Sequence, residues 1–219
     1  FKQILEFDPD EPTAKHMLAA VTGKTVKTPP QGYIEQLFDS YAVIFENSLV
    51  KDLKYHVPEI ITAMIRKESD SDLLGSVLDL GCGSGLLGAE VREFCAYLEG
   101  VDLSDKMLDE ARVKNVYDKL GKRVIEEYLA NESLSFDYFI LTDVFIYIGD
   151  LTEVFRLIQS RNKSYGKLVF STEDTDRDGY FLERSGRYSH SKKYIESLCA
   201  QFNFTLRHFE TCRLRKENN

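Results

Sequence analysis

A glycine-rich run with two carboxylates nearby is the part of this sequence whose residue types and spacing suit chemistry. Residues 81–85 read Gly-Cys-Gly-Ser-Gly, between an apolar segment and a segment with helical character. Glycine reaches backbone angles that other residues avoid, and without a β-carbon it lets a ligand approach the main chain. The first N–H groups of the following helix suit a carboxylate or a phosphate. The run therefore predicts a loop that binds a nucleotide-like ligand.

Two aspartates frame this loop. Asp79 lies two residues before Gly81, and Asp102 ends the next predicted strand. Asp102 follows the loop at about the 20-residue spacing of an acid that binds the two hydroxyl groups of a ribose. An isolated aspartate at either place would be a turn cap, but buried acids rarely persist unpaired. We therefore predict that both carboxylates face a bound ligand.

Two classes of cofactor fit the loop. Gly83, Gly85 and Gly88 satisfy the Gly-x-Gly-x-x-Gly pattern of dinucleotide sites, which would indicate an NAD-type oxidoreductase. S-adenosylmethionine carries an ammonium and a sulfonium, and Asp79 inside the preceding strand would attract both charges. Asp102 suits the ribose of either cofactor. Because no Tyr-Lys pair of an oxidoreductase is evident, we favour S-adenosylmethionine and keep the dinucleotide as the alternative.

Residues 77–85, 100–104 and 107–108 together resemble the first two motifs of class I S-adenosylmethionine-dependent methyltransferases. The resemblance implies methyl transfer by in-line displacement, with S-adenosylhomocysteine as the product. It implies that the cofactor-binding residues are Asp79, Gly81, Cys82, Gly83, Gly85, Asp102, Leu103, Met107, Asn131, Asp143 and Tyr41.

The same resemblance implies a role for several of these residues. The loop glycines line the methionine part, Asp102 binds the ribose, and Leu103 and Met107 pack on adenine. A core position is as good an interpretation of Met107. Asn131 stands where many members have an acid for the adenine amine, and its amide oxygen can accept that hydrogen bond. Tyr41 lies on a helix that resembles the one covering the cofactor in related enzymes.

Three residues are candidates for catalysis. Ligands of open α/β sheets lie outside the carboxyl ends of the strands, which places Asp143 beside the methyl group. His190 and Tyr188 are predicted to lie on a loop before a helix, where His190 could take a proton from a hydroxyl or an amine. A structural, hydrogen-bonded histidine is an equally good interpretation. Holding the acceptor against the methyl group supplies much of the catalysis in either case.

A second resemblance extends over nearly the whole chain. Residues 14–20, 37–42, 143–151 and 185–191 resemble predicted methyltransferases that carry tetratricopeptide repeats before the catalytic domain. The resemblance implies that the first helix is the end of a repeat array. We expect residues 1–30 to form a helical extension and linker, and residues 31–219 the methyltransferase domain.

Periodicity predicts helices over residues 10–23 and 33–53 and another that starts at Pro58. From residue 76 onward strands and helices alternate, which predicts an α/β fold with a doubly wound, mostly parallel, Rossmann-like sheet. We expect the third strand at 124–129, the fifth at 167–172 and a long sixth at 205–215. The helix over 191–201 precedes the sixth strand.

Composition excludes several classes of protein. The net charge of −8 over 219 residues argues against broad binding of nucleic acid. The four cysteines show no spacing of metal ligands, and we expect no metal and a cytoplasmic location. We expect no membrane partner, because no stretch is apolar enough to span a bilayer. A small-molecule acceptor is the favoured substrate, and the alternative is a non-catalytic module that binds S-adenosylmethionine and contacts a protein through its N-terminal helix.

Overall fold

Five parallel strands form the central sheet of the computed structural model, which describes residues 1–46, 55–69, 71–130 and 134–212. The strands are β1 (Ser76–Leu80), β2 (Tyr97–Asp102), β3 (Lys119–Lys122), β4 (Phe136–Leu141) and β5 (Asn162–Phe170). Their order is β3-β2-β1-β4-β5, and every neighbouring pair is parallel. The order reverses between β1 and β4, where a crevice opens at the carboxyl ends of the strands. The predicted doubly wound sheet is confirmed.

Helices cover both faces of this sheet. They are α1 (Lys2–Phe7), α2 (Pro12–Val21), α3 (Gln31–Glu46), α4 (Val57–Glu68), α5 (Leu86–Val91), α6 (Asp105–Lys114), α7 (Ile125–Leu129), α8 (Thr152–Arg161) and α9 (Lys192–Gln201). Alternate residues of β1 serve different cores, because successive side chains of a strand point to opposite faces. Val77 packs with α4 and α5, whereas Leu78 and Leu80 pack with α8 and α9. None of the described helices is long and apolar enough to cross a membrane.

A second, three-stranded sheet was not predicted. Its strands are β6 (Glu173–Asp174), β7 (Tyr180–Leu182) and β8 (Tyr188–His190), in the order β6-β8-β7. Each strand has only two or three residues, too few for the alternation that reveals a strand in a sequence. The small sheet lies between β5 and α9 along the chain.

Hydrogen bonds join the N-terminal residues to the small sheet and to the segment after β4. The imidazole Nε2 of His16, on α2, lies 2.8 Å from the carbonyl oxygen of Gly186. The carbonyl oxygen of Lys27 accepts the backbone N–H groups of Gly149 and Asp150, at 3.1 and 2.9 Å. The division of the chain at residue 30 stays a prediction, and these contacts connect its two sides.

Two predicted strands are wrong. Residues 124–129 were expected as the third strand, but β3 lies earlier and residues 125–129 form α7. The apolar residues there follow a helical spacing, which buries Tyr128 and Leu129 on one face of α7. Residues 205–212, expected as a sixth strand, have no regular secondary structure, and residues 213–215 lie outside the described residues.

The contact between residue 27 and residue 149 supplies a test of how the N-terminal segment docks. A β-carbon at Gly149 would lie 2.6 Å from Tyr188 Cε1 and 2.7 Å from the Lys27 carbonyl oxygen. Gly149→Ala should lower the free energy of unfolding by about 1–3 kcal/mol, because backbone must move to admit the methyl group. Gly121→Ala is the matched control, since its β-carbon would meet nothing closer than 3.9 Å. Equal urea midpoints for the two variants would contradict this packing.

Candidate functional site

A cavity of about 310 Å³ opens at the carboxyl ends of β1, β2 and β4. Its wall has a polar part and a larger apolar part. The polar part includes Asp79, Cys82, Gly83, Ser84, Asp102, Thr142 and Asp143. The apolar part includes Ile34, Phe38, Leu86, Val144, Ile146 and Tyr147. The cavity thus lies where the reversal of strand order leaves room for a ligand.

The loop glycines have different neighbours. Gly81, Gly83 and Gly85 have φ angles of 75°, 53° and 85°, in the left-handed region that favours glycine. A β-carbon on Gly81 would collide with Val144, and one on Gly85 would lie 3.1 Å from the ring of Tyr117. At Gly83 a β-carbon would meet nothing within 4 Å, and Gly83 lines the cavity. Of the three loop glycines, Gly83 alone therefore has open space beside its main chain, where a ligand can approach.

Two backbone N–H groups, one from the glycine loop and one from the turn after β2, hold the carboxylate of Asp102. Its Oδ2 accepts the N–H of Gly83 at 2.9 Å, and its Oδ1 accepts the N–H of Ser104 at 2.8 Å. Burial raises the pKa of the Asp102 carboxyl, and these hydrogen bonds act in the opposite direction. The carboxylate is therefore oriented before any ligand arrives, with lone pairs remaining for further donors.

Asp79 is the second carboxylate of the floor and is 1% exposed. Its Oδ2 accepts the hydroxyl of Tyr117 at 2.7 Å. Burial raises the pKa of Asp79 to about 7; the Tyr117 hydrogen bond lowers it, and the Asp102 charge raises it further. A cation bound beside these two acids would favour their charged forms and lower both pKa values.

Several predicted cofactor residues do line the cavity. Besides the two aspartates they are Gly81, Cys82, Gly83, Leu103 and Asp143. Asp143 has a φ of 55°, unusual for a residue with a side chain. The Ser171 hydroxyl donates to Asp143 Oδ1 and accepts the Asp143 N–H, both at 2.8 Å. Ser171 thus ties the end of β5 to the turn after β4.

Three other cofactor predictions are not supported by position. Met107 is fully buried in the core and does not line the cavity, because its side of α6 faces the protein interior. Tyr41 is 41% exposed and also lies outside the cavity wall. The residues of α3 that reach the wall are Ile34 and Phe38, four apart on one face. Gly85 backs onto Tyr117, and Asn131 lies outside the described residues.

His190 stays a prediction as a base, and both of its ring nitrogens already have partners in this structure. His190 is 1% exposed, and its Nε2 lies 2.9 Å from the Gly149 carbonyl oxygen. A carbonyl only accepts, so Nε2 carries the hydrogen, and Nδ1 accepts the Thr172 hydroxyl at 2.7 Å. Burial lowers the pKa of His190 to about 4. Both ring nitrogens are engaged, and the residue joins β8 to the segments after β4 and β5.

Tyr188 stays a prediction as a catalytic residue, and the structure places it away from the cavity. Its side chain is fully buried against Gly149 and the ring of His16, and it does not line the cavity. Burial raises the pKa of its phenol, which therefore stays protonated. Its hydroxyl has no hydrogen-bond partner among the described residues.

The fold brings to the cavity two hydroxyl groups and a linker segment that were not predicted as site residues. The buried hydroxyl oxygens of Ser84 and Thr142 lack a hydrogen-bond partner among the described residues, and both side chains line the cavity. An orphaned buried hydroxyl points to a missing partner such as a ligand. Ser84 lay inside the recognised loop and could have been found there. Thr28 and Pro29 come from the N-terminal linker and also line the cavity. No pattern in the sequence of the linker predicts this position.

Comparison with known proteins agrees with this geometry. A family model described as a methyltransferase domain matches residues 50–209. The chain is 31% identical over 100 residues to a ubiquinone biosynthesis O-methyltransferase of Xanthomonas axonopodis pv. citri (strain 306), covering 44% of this chain and 42% of that protein. It is 30% identical over 124 residues to the protein of the same name from Idiomarina loihiensis, covering 54% and 50%. The chain thus matches half or less of these curated relatives.

Two solved structures share the fold. One is magnesium protoporphyrin IX methyltransferase from Synechocystis PCC 6803 with bound SAH, with a TM-score of 0.65, 17% identity and coverage of 84% of this chain and 96% of that one. The other is a complex of DhpI with SAH, with a TM-score of 0.59, 14% identity and coverage of 76% and 84%. At these identities the likeness concerns the fold alone.

The raised pKa of Asp79 predicts how stability depends on pH. The folded protein holds a proton on Asp79 up to about pH 7, whereas the unfolded chain releases it near the ordinary aspartate pKa of 3.8. The stability of the ligand-free protein should therefore include a loss as pH rises from about 4 to about 7. Asp79→Asn should remove this loss and stabilise the protein at pH 8 by up to about 4 kcal/mol.

Urea unfolding at pH 5 and pH 8 measures this difference. The control is Asp118→Asn, because hydrogen bonds from the Leu98 amide and Arg92 lower the pKa of Asp118. That variant should lose stability at pH 8, the opposite sign. If the free energy of unfolding changed with pH equally in wild type and Asp79→Asn, ionising the buried Asp79 would cost the folded protein no stability.

Proposed function

This chain belongs to the methyltransferase domain family, whose model spans residues 50–209, and we propose that it transfers the methyl group of S-adenosylmethionine to a small-molecule acceptor. The observation that carries the proposal is the floor of the cavity. Asp79 and Asp102 both face the same ligand space as the bare main chain of Gly83. A cationic adenosyl compound fits an arrangement with two acids and an unshielded backbone.

The residues present suit S-adenosylmethionine part by part. Asp102 would accept hydrogen bonds from the ribose hydroxyls, and Leu103 beside it would contact the adenine. Gly83 would lie along the methionine part. The orphaned hydroxyls of Ser84 and Thr142 would take polar groups of the ligand, which ends their lack of partners. When bound, the donor supplies an activated methyl group that leaves its sulfur by in-line displacement, with S-adenosylhomocysteine as the product.

Asp79 contributes an electrostatic effect. Its carboxylate is almost completely buried, so solvent screens its charge weakly. A cation placed beside it gains more than the same cation would gain at an exposed aspartate. We assign Asp79 to the positive end of the donor on this ground, together with its place directly before the loop.

The apolar part of the cavity would receive the acceptor. Phe38 and Tyr147 meet edge to face with ring centroids 5.1 Å apart, and Ile146 completes this wall. Such a surface orients a small apolar or aromatic molecule and excludes water around it. Asp143 would lie at the boundary between donor and acceptor, oriented by Ser171. Support for a small-molecule acceptor also comes from the names of the curated O-methyltransferase relatives.

No observation favours either alternative, the NAD-type oxidoreductase or the non-catalytic binding module. Binding of a dinucleotide needs Gly85 and Gly88 to leave room for a pyrophosphate. A β-carbon on either residue would meet the ring of Tyr117, so both glycines serve the protein interior. Nothing in the cavity favours binding of the cofactor without transfer.

The N-terminal helices belong to a finer proposal. α1 and α2 contact each other as a helical pair, which supports the proposal that they are the end of a helical repeat array. α1 buries none of its residues, and Phe7 is 91% exposed. We propose that a protein partner contacts α1.

The cysteines bear on where the protein works. The thiols of Cys82, Cys95 and Cys199 are free and buried, which supports a reducing, cytoplasmic location.

Calorimetric titration of the protein with S-adenosylmethionine, S-adenosylhomocysteine and NAD tests the choice of cofactor. We expect both adenosyl compounds to bind and NAD not to. At a hundred times its dissociation constant a ligand should add about 2.7 kcal/mol to stability, visible as a thermal shift. Binding of NAD alone would refute the proposal. Transfer itself is measured as labelled methyl incorporated into a panel of small apolar acceptors.

Asp102→Ala should weaken S-adenosylmethionine binding about ten- to a hundredfold, because it removes charge-assisted hydrogen bonds to the ribose. Asp102→Asn separates charge from shape, since its amide oxygen can still accept one backbone N–H. Asp109→Ala on the exposed side of α6 is the control and should bind normally. Unchanged affinity of Asp102→Ala in calorimetry would rule out the ribose role.

A further inference from the structure

Tyr117 is absent from the cavity wall, yet it is the residue on which the cavity floor rests. Its hydroxyl donates to Asp79 Oδ2 at 2.7 Å. Its ring lies beneath the loop and the start of α5, where three glycines leave space for it. A β-carbon on Gly88 would collide with the ring, and one on Gly100 would lie 2.8 Å from Cε1. A single side chain therefore contacts both the loop and the acid before it.

The segment that carries Tyr117 is held on both sides. Before it, the carbonyl oxygen of Val116 accepts Arg92 Nη1 at 3.3 Å. After it, Asp118 Oδ2 accepts the same Arg92 nitrogen at 2.6 Å and the Leu98 N–H at 2.7 Å. The Asp118 N–H in turn donates to the Leu98 carbonyl oxygen at 2.8 Å. These hydrogen bonds fix the backbone on both sides of Tyr117 and so limit where its phenol can lie.

The other titratable groups around Asp79 do not stabilise its charge. Asp102 on β2 raises the pKa of the Asp79 carboxyl by repulsion. The thiols of Cys82 and Cys95 also sense the Asp79 charge, and burial keeps both of them protonated. Tyr117 is the group that favours the carboxylate, through a hydrogen bond to a charged acceptor.

We propose that Tyr117 is a positioning residue for the methyl donor: its hydroxyl holds Asp79 as an oriented carboxylate, so that the positive end of S-adenosylmethionine meets an anion beneath the loop. The inference rests on the proposed function. It assigns the geometry of the floor to a side chain from the segment between α6 and β3, outside the glycine loop itself. It also explains Gly85 and Gly88 as space for the ring.

The test is calorimetric titration of the full chain and its Tyr117→Phe variant with S-adenosylmethionine between pH 6 and pH 9. Removal of the hydroxyl should make Asp79 harder to ionise, so the variant should bind about tenfold more weakly at pH 6. The difference should narrow towards pH 9, where Asp79 becomes ionised in both proteins. Asp79→Asn should lose the difference between acidic and alkaline pH that wild type shows.

Adenosine separates an electrostatic role from a structural one, because it lacks the charged amino-acid part. Tyr117→Phe should bind adenosine as wild type does at every pH. Tyr97→Phe is the matched control, since Tyr97 donates to another buried acid, Glu99, at 2.9 Å and lies outside the cavity wall. That variant should keep the wild-type pH profile.

Two results would overturn the inference while leaving the proposed function intact. One is a superimposable pH profile for wild type and Tyr117→Phe with tight binding in both. The other is an equal loss of adenosine affinity, which would show that the phenol only shapes the loop. Failure of wild type to bind S-adenosylmethionine at any pH would instead overturn the proposed function, and the positioning role with it.

Discussion

The structure depends on placing a buried and a half-buried carboxylate, Asp79 and Asp102, beside an unshielded main chain. Asp79 and Asp102 lie at the ends of neighbouring strands, where burial raises both pKa values and each aspartate faces the cavity. Burying charge is costly unless it is paired or hydrogen-bonded. Asp102 receives two backbone N–H groups and Asp79 receives a phenol. These bonds orient the acids and favour their charged forms, which attract a cation.

The parallel sheet makes this arrangement possible. Because all five strands run in one direction, the carboxyl ends of β1, β2 and β4 meet at one edge, and the reversal of strand order opens the crevice between them. The apolar side chains of β1 are divided between two cores, so the strand cannot slip without exposing them. The register that places Asp79 opposite Gly100 is thereby held by packing on both faces.

The cavity is completed from outside the sheet. Thr28 and Pro29 reach it from the N-terminal linker, and Ile34 and Phe38 reach it from α3. Hydrogen bonds to the Lys27 carbonyl oxygen hold the N-terminal segment against the residues after β4, and a hydrogen bond from His16 holds it against the small sheet. His190 and Tyr188 belong to this scaffold. A histidine and a tyrosine in a loop-like stretch suggested acid–base chemistry, but in the fold they are packed inside the structure that supports the wall.

The sequence by itself determined the loop, its two acids and the alternation of strands and helices, because these rest on local properties. Glycine is favoured where φ is positive, and apolar periodicity follows the repeat of each element. Only the tertiary structure decided which side chains face the cavity. Met107 and Tyr41 were placed at the cofactor by motif and period, yet one turns to the core and the other to solvent. Tyr117 and Thr142 acquired their significance from neighbours distant in the chain. Partners at long sequence separation leave no periodic trace, and a side chain's exposure depends on all the elements packed around it.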